Sequence, residues 1–340
     1  MKKILYIGNN LKNSKSNVSG IQSLGPLLET EGYVIRYASS ISNKVLRLLD
    51  MMITCLRYSR QSDLVLIDTY GTQNFYYALV VSRICKRLKV PYIPILHGGT
   101  LPKRLVDHPK KSHSIFNNAA CCIAPSLFMK VAFENKGYTN LMHIPNAIEI
   151  GNYPSSKKTF ETPKLLWVRS FSKIYNPTLA ITVLKSLQDR FPEAELCMVG
   201  PDSDGSLKDV KDLANTLNVA VKITGKLTKQ AWVHLSKDYN IFINTTNFDN
   251  MPVSIIEAMA LGFPVVSTNV GGMPYLIKNQ IDGILVAPDN AVDMGQAVSR
   301  IMSDNVMSAS LIKNARLHVE QFDWQTVKMQ WKNILEQYSR

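Results

Sequence analysis

Short apolar runs rich in β-branched residues alternate with stretches of helical periodicity along the chain, which is how a doubly wound parallel sheet looks in sequence. In the first half the runs are 3–8 (KILYIG), 33–39, 64–68, 92–97, 121–126 and 142–146. In the second half they are 164–170, 195–200, 221–225, 241–245, 264–268 and 283–288. Six and six predict an α/β protein of two Rossmann-like halves. The stretch 152–163, NYPSSKKTFETP, has neither period and reads as the linker between them. An amphipathic run from Trp324 to Tyr338 predicts a last helix, so the expected divisions are 1–152, 163–322 and 323–340.

A chain of 340 residues exceeds what one core usually holds, and 46% apolar residues can fill two. Cys55, Cys85, Cys121, Cys122 and Cys197 sit inside apolar runs without metal-ligand spacing, as reduced core residues of a cytosolic protein would. The amino-terminal apolar run is too short for a secretion signal, and no segment is long enough to cross a bilayer. The expected location is therefore the cytoplasm, extended to peripheral attachment at the inner face of the membrane by the charge. Residues 1–150 carry 19 Lys and Arg against 8 Asp and Glu, which gives that half +11 of the total +13. Such a surface meets anionic lipid or an anionic substrate; nucleic acid is not expected, because no nucleic-acid-binding signature is present. The segment Val45 to Arg60 alternates apolar residues with Arg47, Arg57 and Arg60, and fits either a membrane-surface helix or one packed on a sheet.

The most informative stretch is Asn247 to Gly272, NFDNMPVSIIEAMALGFPVVSTNVGG. Two strand-like runs flank a helix that starts near Pro252 and stops at Gly262. A helix starting beyond a strand's carboxyl end is expected to turn backbone N–H groups near Met251, Val253 and Ser254 toward the crevice, where a phosphate can accept them, with Asn250 and Pro252 as further donor-binding candidates. Asp249 before the helix and Glu257 inside it can hold the two ends of one ligand with the phosphates between. Asp249 reads equally as a helix cap. Glu257, among Ile255, Ile256, Ala258 and Met259, needs a polar partner.

These residues resemble the retaining glycosyltransferases of family four, which have the GT-B fold: two Rossmann-like doubly wound domains facing an interdomain cleft. The family's signature is two glutamates with seven residues between them, followed by an apolar helix, a Gly-Pro-Val-Val-like strand and a Gly-Gly turn. Glu257, Ala258, Met259, Ala260, Gly262, Pro264, Val265, Val266, Gly271, Gly272 and Pro274 match it in order. Asp249 stands where the first glutamate would be, and Tyr275 replaces the usual acidic residue after Gly-Gly-x-Pro. The resemblance implies that Glu257 binds the nucleotide ribose, that Asp249 touches the donor sugar or a nearby backbone amide, and that the last helix crosses back to brace the first domain.

It also draws in residues elsewhere. Arg169 and Lys173 follow the first strand of the second half and correspond to cations that hold the donor's phosphates; Val168 replaces a glycine, and the spacing is one residue shorter than usual. His97, followed by Gly98 and Gly99, matches a histidine beside the transferred sugar, although a lone histidine is more often structural. Gly20 opens the first helix in place of the family's glycine-rich loop. Gly225 and Lys226 lie where the backbone meets the nucleotide base. Lys103, Arg104 and His108 are candidates for an anionic acceptor. The sequence DSD at 202–204 suggests a metal-binding D-x-D, but Pro201 and Gly205 mark a turn, and no metal site is expected. No cofactor is expected; a nucleotide-diphosphate sugar is the co-substrate, and the acceptor is a saccharide or lipid-linked. Two other readings fit the fold: a nucleotide-sugar 2-epimerase, and a catalytically silent GT-B scaffold.

Overall fold

The computed structural model describes residues 1–11 and 18–340, which divide into two compact units. Of the described residues, the first comprises 1–11, 18–147 and 324–340, and the second contains 148–323.

In the first unit β1 (Lys3–Ile7), β2 (Val34–Ala38), β3 (Leu64–Thr69), β4 (Tyr92–Leu96), β5 (Cys122–Ala124) and β6 (Leu141–His143) form one parallel sheet in the order β2-β1-β3-β4-β5-β6. Its helices are α1 (Gly20–Thr30), α2 (Lys44–Tyr58), α3 (Phe75–Leu88), α4 (Leu101–Asp107), α5 (Pro109–Phe116) and α6 (Leu127–Glu134). Because side chains alternate along a strand, each strand feeds two cores. Leu5, Ile7, Val65 and Ile67 meet α2, α3 and α5 on one face, while Ile4, Tyr6, Leu64 and Leu66 face the other. That second face is covered by Ile21 and Leu28 of α1 and by the last helix of the chain, through Trp324, Val327, Trp331, Ile334 and Leu335.

The second unit repeats the plan. β7 (Lys164–Val168), β8 (Glu195–Val199), β9 (Lys222–Gly225), β10 (Ile241–Asn244), β11 (Val265–Thr268) and β12 (Ile284–Val286) form a sheet in the order β12-β11-β10-β7-β8-β9. The helices are α7 (Pro177–Gln188), α8 (Ser206–Thr216), α9 (Lys229–Leu235), α10 (Val253–Ala260), α11 (Met273–Leu276), α12 (Ala291–Ser303) and α13 (Asn305–Val319); α14 (Trp324–Tyr338) belongs to the first unit. Each sheet has one topological switch point, where successive strands are added on opposite sides: between β1 and β3, and between β7 and β10.

The polar stretch 152–163, expected as a linker, is instead part of the second unit. Tyr153 is buried, and the Asn240 side chain donates to the carbonyls of Thr159 and Thr162, both at 2.8 Å. Side chains, not periodic backbone pairing, fix this segment, so no pattern announces it. All five cysteines are buried and free. Among the described residues no helix is long and apolar enough to cross a membrane.

Two stability predictions follow from these contacts. Trp331→Ala should cost about 3–5 kcal/mol, the usual range for deleting a buried aromatic ring, read as a lower urea midpoint for the first unit; an unchanged midpoint would mean that α14 is dispensable. In the second unit, burial holds the Lys158 ammonium down to about 8, with its Nζ 2.9 Å from the Ser236 carbonyl and 3.8 Å from the centre of the Phe263 ring. Between pH 8 and the ordinary 10.5 the unfolded chain keeps a proton that the folded chain has released, so stability rises with pH across that window. Below it the buried charge is a constant cost. Lys158→Met should remove this rise, visible as a wild-type-minus-variant difference in urea midpoints that changes only inside the window.

Candidate functional site

At the switch point of the second sheet the chain leaves β7 through Arg169 and leaves β10 toward the start of α10, so both arrive at the same edge. Arg169 is largely buried; its guanidinium pairs with Oδ2 of Asp249 and stands 4.3 Å from the centre of the Tyr175 ring. Burial pushes its pKa down, against the pull of Tyr175 and Glu257. The backbone permits this only with glycine as its neighbour: Gly200 has φ +152°, and a Cβ there would come 1.7 Å from the Arg169 carbonyl oxygen. The Gly-Gly turn has a similar duty. A Cβ on Gly272 would come 1.6 Å from the carbonyl oxygen of Asn250, while the Gly272 amide donates to that of Asp249 at 2.9 Å. The turn therefore fixes the two residues that lead into α10.

Pro252 caps α10, and first-turn amides lack a partner four residues back. The Ser254 hydroxyl, in that turn, is buried and has no hydrogen-bond partner among the described residues. Two turns into the helix Glu257 is 2% exposed. Tyr153 donates to its Oε1 at 2.7 Å and Lys229 Nζ pairs with the same oxygen; among the described residues none pairs with Oε2, which can accept from a ligand hydroxyl. Burial, then the Glu257 charge, pushes the Tyr153 hydroxyl far up, so it remains a donor. Arg316 secures this from behind by donating to the carbonyls of Tyr153 and Ala260 at 3.2 and 2.7 Å.

The other residues expected here are set differently. The Lys173 side chain is exposed, and its backbone amide donates to Asp204 at 2.9 Å. Asp204 also accepts from Ser172 and Ser206, and these bonds hold its carboxyl down to about 2 despite opposing desolvation. Asp202 accepts from the Gly205 amide at 2.9 Å. Both carboxylates thus brace the turn that carries Lys173. Gly225, at φ +72°, ends β9 and accepts from the Gly200 amide at 2.9 Å, with Lys226 exposed beside it.

A second cluster lies at the switch point of the first sheet. Asp68, near the end of β3, is fully buried and accepts from Tyr6 Oη at 2.9 Å, the Ile21 amide at 2.9 Å and His97 Nε2 at 3.0 Å. A carboxylate only accepts, so Nε2 carries the proton and Nδ1 is the ring's remaining acceptor. Tyr70 stacks on the imidazole with centroids 5.4 Å apart. Gly20 is required: a Cβ there would come 2.4 Å from His97 Nε2. The adjoining loop between β1 and Ser19 lies partly outside the described residues. Of the acceptor candidates, Lys103 pairs with Asp107 at 2.6 Å, Arg104 Nε donates to the Gly71 carbonyl at 2.7 Å, and His108 joins α4 to α5.

Sequence reasoning missed Asp68, Tyr153 and Lys229. A carboxylate ending the apolar run LVLID was a signal for the first. No sequence signal marks the other two, because both meet Glu257 from distant segments.

Residues 153–318 match the family described as glycosyl transferases group 1. Sulfoquinovosyl transferase SQD2 of Arabidopsis thaliana is 28% identical over 163 residues, 47% of this chain and 31% of that protein. The Escherichia coli UDP-Gal:alpha-D-GlcNAc-diphosphoundecaprenol alpha-1,3-galactosyltransferase is 24% identical over 190 residues, 51% of this chain and 48% of that one. The matches span roughly a third to a half of the length of these relatives. Among solved structures, Anabaena Alr3699/HepE in complex with UDP-glucose superposes with a TM-score of 0.81 at 18% identity, over 99% of this chain and 100% of that one. Sucrose-phosphate synthase from Thermosynechococcus elongatus gives 0.79 at 18% identity, over 99% of each chain. The structural likeness shows the GT-B fold, and residues 153–318 are similar to the glycosyl transferases group 1 family.

Proposed function

We propose that this protein is a retaining, metal-independent glycosyltransferase that moves a hexose from a nucleotide-diphosphate sugar to a saccharide or lipid-linked acceptor in glycan assembly. The observation that carries the reading is Glu257: a buried carboxylate with Tyr153 and Lys229 on one oxygen and the other left for a ribose hydroxyl, directly behind an anion-accepting helix start. The diphosphate then lies against the first turn of α10, where the Ser254 hydroxyl lacks a partner, and against Arg169. A complex of Anabaena Alr3699/HepE with UDP-glucose makes UDP-sugars the first donors to test.

The barrier is departure of the diphosphate from an oxocarbenium-like sugar, and preorganised positive charge on the leaving group lowers it most. Arg169 supplies that charge once Asp249 exchanges it for the donor; Lys173, exposed on its braced turn, adds a second cation. Asp249 is then free to accept from the sugar. Deprotonation of the acceptor by the departing phosphate oxygen, on the same face, accounts for retention without a side-chain nucleophile. Acceptor recognition falls to the first unit, where His97 Nδ1 offers an acceptor for a sugar hydroxyl. Its basic character suits a lipid-linked acceptor at the anionic cytoplasmic face of a membrane.

Glu257→Ala should weaken UDP binding about 10- to 100-fold, or about 1–3 kcal/mol, the range for losing a charged hydrogen-bond partner. Calorimetry measures this, and unchanged affinity in a folded variant would return Glu257 to a purely structural role. Arg169→Ala should lower turnover about 100-fold or more, on the scale of removing one donor to a developing anion. EDTA should leave wild-type turnover unchanged. Radiolabelled donor incubated with membrane extract distinguishes the outcomes: a labelled glycoside supports transfer, an isomerised donor indicates an epimerase, and donor binding without either product indicates a silent scaffold.

A further inference from the structure

Helix α2 is apolar on both faces. A helix laid on a sheet normally turns apolar side chains inward and charges outward. Here the inward face holds Arg47, Met51 and Cys55, all buried, and the Arg47 guanidinium reaches back toward the carbonyls of Ile41 and Ser42 at 3.3 and 3.4 Å. The outward face holds Val45, Leu46, Leu49, Ile53 and Leu56, which are between 47% and 68% exposed. Val45, Leu49, Ile53 and Leu56 follow one another at helical spacing and form a continuous ridge. Scattered exposed apolar residues are ordinary; five on one face of one helix, opposite a buried arginine, are not.

The surroundings say what covers this ridge. Lys44 and Arg57 lie on the same helix and Arg60 directly follows it. Helix α3 packs beside α2, with the Cys55 and Cys85 sulfurs 3.9 Å apart, and exposes Arg83, Lys86 and Arg87. Asp50 is the single acidic residue in the two helices. An apolar ridge one helix wide is small for a stable protein interface, which commonly buries about 800 Å² per partner. A cation-flanked apolar helix face lying in the plane of an anionic bilayer interface satisfies both features together: the side chains enter the acyl boundary and the cations meet headgroup phosphates.

We propose that α2 is a membrane-docking helix, inserted shallowly into an anionic lipid surface through Val45, Leu46, Leu49, Ile53 and Leu56. This deepens the membrane reading above by naming its surface, and its test is read on lipid alone, so its failure is separate from failure of the transferase reading. The full-length protein is floated with vesicles of phosphatidylglycerol and phosphatidylcholine, or of phosphatidylcholine alone, at low and high salt. The expected result is recovery with the anionic vesicles that falls with salt, and an affinity at least tenfold lower for Leu49→Ser/Ile53→Ser. UDP binding, which belongs to the second unit, should be unchanged in that variant and reports that it is folded. An Ile53→Trp variant should show a blue shift of emission on adding anionic vesicles. Vesicle binding that survives Leu49→Ser/Ile53→Ser overturns the proposal, as does equal recovery with neutral vesicles. A dimer in sedimentation that the double variant dissolves, without vesicle binding, also overturns it and assigns the ridge to a second copy of the chain.

Discussion

Parallel strands can be joined only by crossovers that carry the chain back over the sheet, so every segment leaving a strand's carboxyl end emerges at one edge. Everything chemical in both units depends on that constraint. Where successive strands are added on opposite sides, two such segments diverge and leave a gap between them. Arg169 and the start of α10 flank the gap in one sheet; Gly8 and the Asp68 carboxylate flank it in the other. Glycines then let segments at that edge pack closely, as at Gly200, Gly272 and Gly20, where a single methyl group would collide with Arg169, Asn250 or the His97 ring.

A second regularity is electrostatic. Each unit buries a carboxylate at its switch point, and each is neutralised in a different way. Asp68 is closed off by a phenol, an amide and an imidazole, and it acts by holding His97 in one tautomer. Glu257 has its two partners on a single oxygen, and one of them, Lys229, has a half-exposed side chain. The first arrangement is a positioning device and the second a receptor. A fully satisfied buried polar group rigidifies its surroundings, whereas a partly satisfied one awaits a partner.

Much of this was legible in the sequence. Strands covered on both faces must be apolar almost throughout, which is why the runs at 64–68 and 92–97 stood out. Glu257 was visible because a carboxylate within an apolar helix demands compensation. The compensation itself was not: Tyr153 comes from a segment without periodicity, held by side-chain hydrogen bonds that leave no repeating mark. Periodicity also revealed an apolar stripe on α2 without telling which way it faces. A helical wheel has no inside, and only packing against Met51 and Cys55 decides that Leu49 and Ile53 look outward.

The interleaving of the two units along the chain bears on how the protein is made. The first unit contains residues on both sides of the second along the chain, since α14 covers the face formed by Ile4, Tyr6, Leu64, Leu66, Ile93 and Ile95. A ribosome moving along the chain delivers those three strands long before it delivers their cover. Domains otherwise fold in order of emergence. Here the first to emerge waits, with one apolar sheet face incompletely covered, while the second is synthesised whole, and it closes only when Trp324 and Trp331 leave the exit tunnel. Sealing of the first core thereby waits on residues that are translated only after the whole second unit.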